Sequence, residues 1–203
     1  MRKTASLIAL SLTLAAFQGV ALQAPAADSA IASRVDASAL SKKKQTNLGL
    51  YVTAAETNAA LQSRKDLILI DVRTPEETMF VGYPVNAAVN IPFKVVDPKY
   101  QFNAKKRSYR LIVAPDFVTK VRAYLKSGAG KNAKTLVLMC RSGSRSAQAV
   151  NALAKAGFTN AYSMVDGFEG DKDQSGRRTV NGWKNSAAPW TTKLRKDYRF
   201  QSR

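Results

Sequence analysis

The chemistry available to this chain centres on one cysteine. Cys140 is the only cysteine in 203 residues, and the chain has no histidine. It closes an apolar run, Thr135–Met139 (TLVLM), and opens the string Arg141, Ser142, Gly143, Ser144, Arg145, Ser146. A run of apolar and β-branched residues without alternation predicts a strand buried on both faces, as in parallel sheets. A helical pattern follows, with Ala147, Val150, Leu153 and Ala154 on one face and Gly157 as its stop. The spacing therefore places a lone thiol in a tight loop between a buried strand and a helix N-terminus. Loop N–H groups, the positive end of the helix dipole, and the charges of Arg141 and Arg145 all favour thiolate over thiol and make Cys140 a nucleophile. The same cradle suits an anionic substrate. The bland alternative is a core cysteine at a strand end, which needs neither flanking arginines nor a small-residue loop.

The missing histidines exclude Ser-His-Asp and Cys-His mechanisms and argue against a zinc site. A single cysteine excludes an internal disulfide. Two thiolate chemistries use such a loop, and spacing separates them. Tyrosine phosphatases place the arginine at C-x5-R, in a loop wide enough for phosphate. Here it falls one residue earlier, Cys140-x4-Arg145.

The elements that must position the thiol can be read along the chain. Leu67–Val72 (LILIDV) predicts a second buried parallel strand, and Thr74-Pro75-Glu76-Glu77 reads as a helix start with Thr74 at N-cap, Pro75 at N1 and Glu77 at N3. Because functional loops of open α/β sheets lie at the carboxyl ends of strands, Asp71 and Arg73 belong to the same edge as Cys140. They serve there as an internal ion pair, as substrate contacts, or as both. Gly49–Val52 predicts a short strand, and Thr53-Ala54-Ala55-Glu56 has the pattern of a capping box. Pro115 precedes a helix with Phe117, Val121, Tyr124 and Leu125 on one face, and Phe158–Met164 reads as the last strand. Lys94–Ser108 is polar, charged and poorly periodic, and reads as an insertion over the active-site edge. Asp171-x-Asp173-x-Ser175-Gly176 matches the opening of a calcium loop, but Gly182 stands where the bidentate Glu is needed and Arg177 and Arg178 oppose a cation. A polar surface loop is the expectation, with no metal.

Three stretches together resemble the rhodanese family: the loop CRSGSRS, the strand-turn LILIDVRTPEE, and Gly82–Pro92, which has the frame of the family's GHIPGAxxIP segment with Tyr83 and Asn86 substituted. The closing turn Val165–Gly170 and Trp183 agree, so the resemblance spans about Leu50 to Trp190. It implies a single α/β domain with about five parallel strands and helices on both faces. It also implies sulfurtransferase activity of the thiosulfate type without a cofactor. Cys140 would be the catalytic residue, Arg141–Arg145 the active-site loop, and Arg73, Arg141 and Arg145 the substrate contacts, with Asp71 in support. The sulfur would come from a small anionic donor and go to a thiol, cyanide or protein acceptor. A non-enzymatic persulfide carrier, a small-loop phosphatase or arsenate reductase, and an inactive domain are the competing readings.

Residues 1–26 read as a secretory signal, with Arg2 and Lys3 ahead of an apolar stretch and an Ala24-Pro25-Ala26 cleavage site. Residues 27–48 read as a linker or docked arm, 49–191 as the domain and 192–203 as a basic tail. A soluble periplasmic protein is the expectation, not one embedded in a membrane. Net charge is +18. No recognition helix is evident, so nucleic acid is not the expected partner; the charge reads first as a solvated surface, and as its sharper alternative as attraction of anionic substrates, an acidic protein or anionic lipid headgroups.

Overall fold

A computed structural model describes residues 30–199; the signal-like segment lies outside them. A 3-10 turn at Lys42–Lys44 leads into β1 (Tyr51–Val52), α1 (Ala54–Ser63), β2 (Leu67–Asp71), α2 (Pro75–Val81), β3 (Tyr83–Pro84) and β4 (Val89–Asn90). There follow β5 (Lys94–Val96), β6 (Phe102–Asn103), β7 (Ser108–Tyr109), β8 (Leu111–Val113), α3 (Phe117–Lys126), β9 (Thr135–Met139), α4 (Ser144–Lys155), β10 (Ala161–Met164) and β11 (Trp190–Thr191). Strands β1-β10-β9-β2-β4 form one five-stranded sheet, parallel at every pairing. β9, the strand that delivers Cys140, is its middle strand and is buried at every residue.

Two apolar layers sandwich this sheet, as a parallel sheet requires. Ile70, Leu136 and Leu138 face Phe117, Val121, Val150 and Leu153 of α3 and α4. Leu69, Val137, Met139 and Tyr162 face the other way, toward Ala54, Tyr83, Phe168 and Trp183. Helices α1 and α2 begin with the same device. Thr53 and Thr74 each accept the N–H of a glutamate three residues on, whose side chain accepts the threonine N–H in return.

Both flanking segments join the second layer. Ile31 is buried there and its N–H reaches Tyr162 Oη at 3.2 Å. The segment read as a basic tail is a strap: Tyr198 is 2% exposed, stacks on Tyr83 at 3.9 Å between centroids, and accepts the Asn90 N–H at 2.6 Å. Arg195 fixes the strap by donating to the carbonyls of Val85 and Ala87 at 2.7 and 3.0 Å. Lys94–Ser108 is not irregular. Its ends pair through β5 and β8, and its tip through β6 and β7, as a two-stranded antiparallel ribbon reaching Val113. The ribbon springs from the carboxyl edge of the sheet, where Phe93 N–H donates to the carbonyl of Val72. Among the described residues, no helix is long and apolar enough to cross a membrane.

Candidate active site

Cys140 lies at the carboxyl end of β9, 1% exposed. The loop beyond it is shaped by two close backbone approaches. Gly143 has φ of 95°, and a Cβ there would collide with the carbonyl oxygen of Val165. A Cβ on Gly167, at φ of 67°, would lie 2.5 Å from the carbonyl oxygen of Cys140. Only glycine fits either position. The closing turn is bound to the loop by backbone hydrogen bonds: Phe168 N–H to the carbonyl of Cys140 at 2.7 Å and Glu169 N–H to that of Arg141 at 2.9 Å.

This folding turns the Gly143 N–H onto Cys140 Sγ at 3.2 Å. Gly143 is also the N-cap of α4, and unlike α1 and α2 this helix has no side-chain cap and no acidic residue in its first turn. The positive end of its dipole is therefore left for whatever negative charge the sulfur bears. Arg141 is exposed at the rim, Ser142 and Ser144 are half-buried, and Ser146 is buried within α4.

Arg145 lies in the first turn of α4. Its guanidinium grips Glu77 of α2 through two hydrogen bonds, 2.6 and 2.5 Å. Burial would push both groups toward neutrality, but the pair outweighs it: the Arg145 guanidinium is raised and the Glu77 carboxyl lowered from their ordinary values. Arg145 thus ties α4 to α2 with its charge matched by Glu77, while remaining within electrostatic reach of Cys140. Glu77 was legible only as a helix cap. It does that work too, accepting the Thr74 N–H at 3.1 Å.

Asp71 and Arg73 realise the ion-pair alternative. Both side chains are fully buried, 2.6 Å apart at Nη2 and Oδ2. Asp71 also accepts the Arg73 N–H at 2.9 Å and the Tyr198 hydroxyl at 2.8 Å. Arg73 donates to the carbonyl of Gly82 at 2.8 Å and lies 4.1 Å over the Phe168 ring. It orders the turn after β2 and supports the closing turn under Cys140, with no surface open to a substrate.

Asp166 gave no signal in the sequence beyond its place in the glycine turn. It accepts the N–H groups of Ala54 at 2.9 Å and Gly182 at 3.1 Å, clamping the start of α1 to the turn. Burial raises its carboxyl to about 6 in spite of those donors. In the loop at 171–176, the Asp173 carboxylate accepts from the Ser175 and Thr179 hydroxyls at 2.7 Å each and from the Arg177 N–H at 2.9 Å.

A five-stranded parallel sheet whose middle strand ends in a cysteine, held in a short loop at an uncapped helix start, defines a class of domain. The chain belongs to the rhodanese-like domain family, whose model matches residues 53–174. Over 130 residues it is 32% identical to Uncharacterized protein RC0915 of Rickettsia conorii, an alignment covering 64% of this chain and 87% of that protein. The Uncharacterized protein in dnaA 5'region of Rickettsia montanensis matches with the same identity and coverage. Among solved structures it is similar to Rv0390 from M. tuberculosis, at 26% identity and a TM-score of 0.52, covering 70% of this chain and 96% of that one.

Proposed function

We propose that the chain is a sulfurtransferase that moves a sulfane sulfur from an anionic donor such as thiosulfate through a persulfide on Cys140. The Cys140 thiolate attacks the outer sulfur of the donor. A new S–S bond forms at Sγ, the donor's own S–S bond breaks, and sulfite leaves with the electron pair. A thiol, cyanide or protein thiolate then attacks the outer sulfur of the persulfide, taking that sulfur and returning the Cys140 thiolate. The observation that supports this best is the Gly143 N–H aimed at Sγ from 3.2 Å at the start of a helix left without a cap. It is a fixed dipole set where negative sulfur must be stabilised before and after transfer.

Arg141, exposed at the rim, is the residue in this reading that holds the anionic end of the donor. Arg145 acts through Glu77 to hold the loop, and Arg73 through Asp71 to hold the turn beneath it. Cleavage near Ala27 and a periplasmic location belong to the same proposal. The test is the intact mass of the protein after incubation with thiosulfate. It should gain one sulfur atom, absent in Cys140→Ser and removed by cyanide as thiocyanate appears. No gain with thiosulfate, 3-mercaptopyruvate or polysulfide would sink the reading.

A further inference from the structure

The ribbon at residues 94–113 combines exposed aromatic rings with a run of cations. Phe102 and Tyr109 stand directly opposite each other on β6 and β7, 69% and 59% exposed. Tyr100, 66% exposed, meets Tyr109 edge-on with ring centroids 5.7 Å apart. Behind them Leu111 and Val113 continue along the strand at spacing two, also exposed. The same ribbon carries Lys94, Lys99, Lys105, Lys106, Arg107 and Arg110; its one acid, Asp97, is buried. Six cations against one carboxylate give the ribbon a net charge of +5. Three of the cations, Lys105–Arg107, form the exposed turn at the tip.

Aromatic side chains normally bury most of their surface, and a tip that exposes three of them asks for a surface to enter. Charge alone would suit any polyanion. The exposure narrows the choice, because all three rings stand more than half exposed on one two-stranded hairpin beside its cationic turn. Rings that project among lysines and arginines match the interface of a bilayer. There, aromatic rings lie at headgroup depth, alkyl stems lie along the acyl boundary, and cationic ends reach the phosphates. We propose that this ribbon docks the protein on an anionic phospholipid bilayer. Since the ribbon rises from the carboxyl edge of the sheet, docking holds the Cys140 edge near the bilayer surface.

Co-sedimentation with vesicles of phosphatidylglycerol mixed with phosphatidylcholine, against phosphatidylcholine alone, tests it. The protein should sediment with the anionic vesicles only, less so at high salt. Replacing the tip cations together (Lys105→Ala, Lys106→Ala, Arg107→Ala) should weaken binding roughly tenfold or more. Any contribution of residues 1–29 is common to both chains and cancels. An independent readout leaves the cations intact: Phe102→Cys in a Cys140→Ser background, labelled with a polarity-sensitive dye, should shift to the blue on anionic vesicles. Equal sedimentation of the folded triple variant, binding indifferent to phosphatidylglycerol, or a dye blind to vesicles would each overturn the proposal. Binding to polyglutamate without binding to vesicles would overturn it as well, and would assign the ribbon to an acidic protein.

Discussion

At the scale of single residues, the site is organised around contacts that cannot be loosened one at a time. Arg145 and Glu77 are both mostly buried, with side chains 12% and 21% exposed, so neither tolerates the loss of its partner. Glu77→Gln should cost about 2–4 kcal/mol by leaving a guanidinium unpaired. The double variant Glu77→Gln, Arg145→Gln should cost less than the sum of the singles in urea unfolding. Asp166 gives a second expectation, this time in pH. Its folded carboxyl, at about 6, lies above the ordinary value of 3.8. Between those values the native state holds a proton that the unfolded chain has lost. Its contribution is therefore complete below pH 4 and fades as pH rises through 6, by about 3 kcal/mol at most. Glu77, shifted the other way, opposes this by losing stability as pH falls. The clean measurement is the wild-type stability minus that of Asp166→Asn, which should decline from pH 4 to pH 6.5. Cys140 and its loop were legible because composition isolates them: one thiol, no histidine, two arginines at fixed spacing. The partners of those arginines were not, because Glu77 lies 68 residues from Arg145 in the chain and already had a local role as a cap.

At the scale of elements, β2, β9 and α4 follow directly from their sequences. Their short unbroken apolar runs read as buried strands, and Gly157 with φ of 90° ends α4 where expected. The ribbon and the strap were opaque for the same physical reason. Each makes its backbone pairings without an apolar face of regular period: the ribbon exposes its aromatics, and the strap buries one tyrosine amid lysines and arginines. Tyr198 is nonetheless a core residue. It packs on Tyr83 and donates to an Asp71 carboxylate that has no route to water. Tyr198→Ala should cost about 3–5 kcal/mol, as for other fully buried aromatics, while Tyr198→Phe loses only the hydrogen bond, about 1.5–3 kcal/mol. Urea midpoints of the two variants measure the difference. Equal losses would mean that stacking contributes nothing.

At the scale of the molecule, 32 lysines and arginines stand against 14 acids. Several of those acids are consumed in buried pairs and clamps, so the outer surface is cationic. A dianionic donor should therefore be steered to Cys140. Its second-order rate of persulfide formation should fall several-fold between low and high ionic strength, while alkylation by a neutral reagent stays nearly constant. Stopped-flow rates across a salt series check this. The two-ended packing of the second layer bears on how the molecule is made. Ile31 and Tyr198 belong to one apolar cluster, so the first described element and the last close the same core. A chain that emerges from its N-terminus holds Asp71 and Arg73 without their third partner until residue 198 has followed. Completion of that buried cluster is thus deferred until residue 198 has emerged.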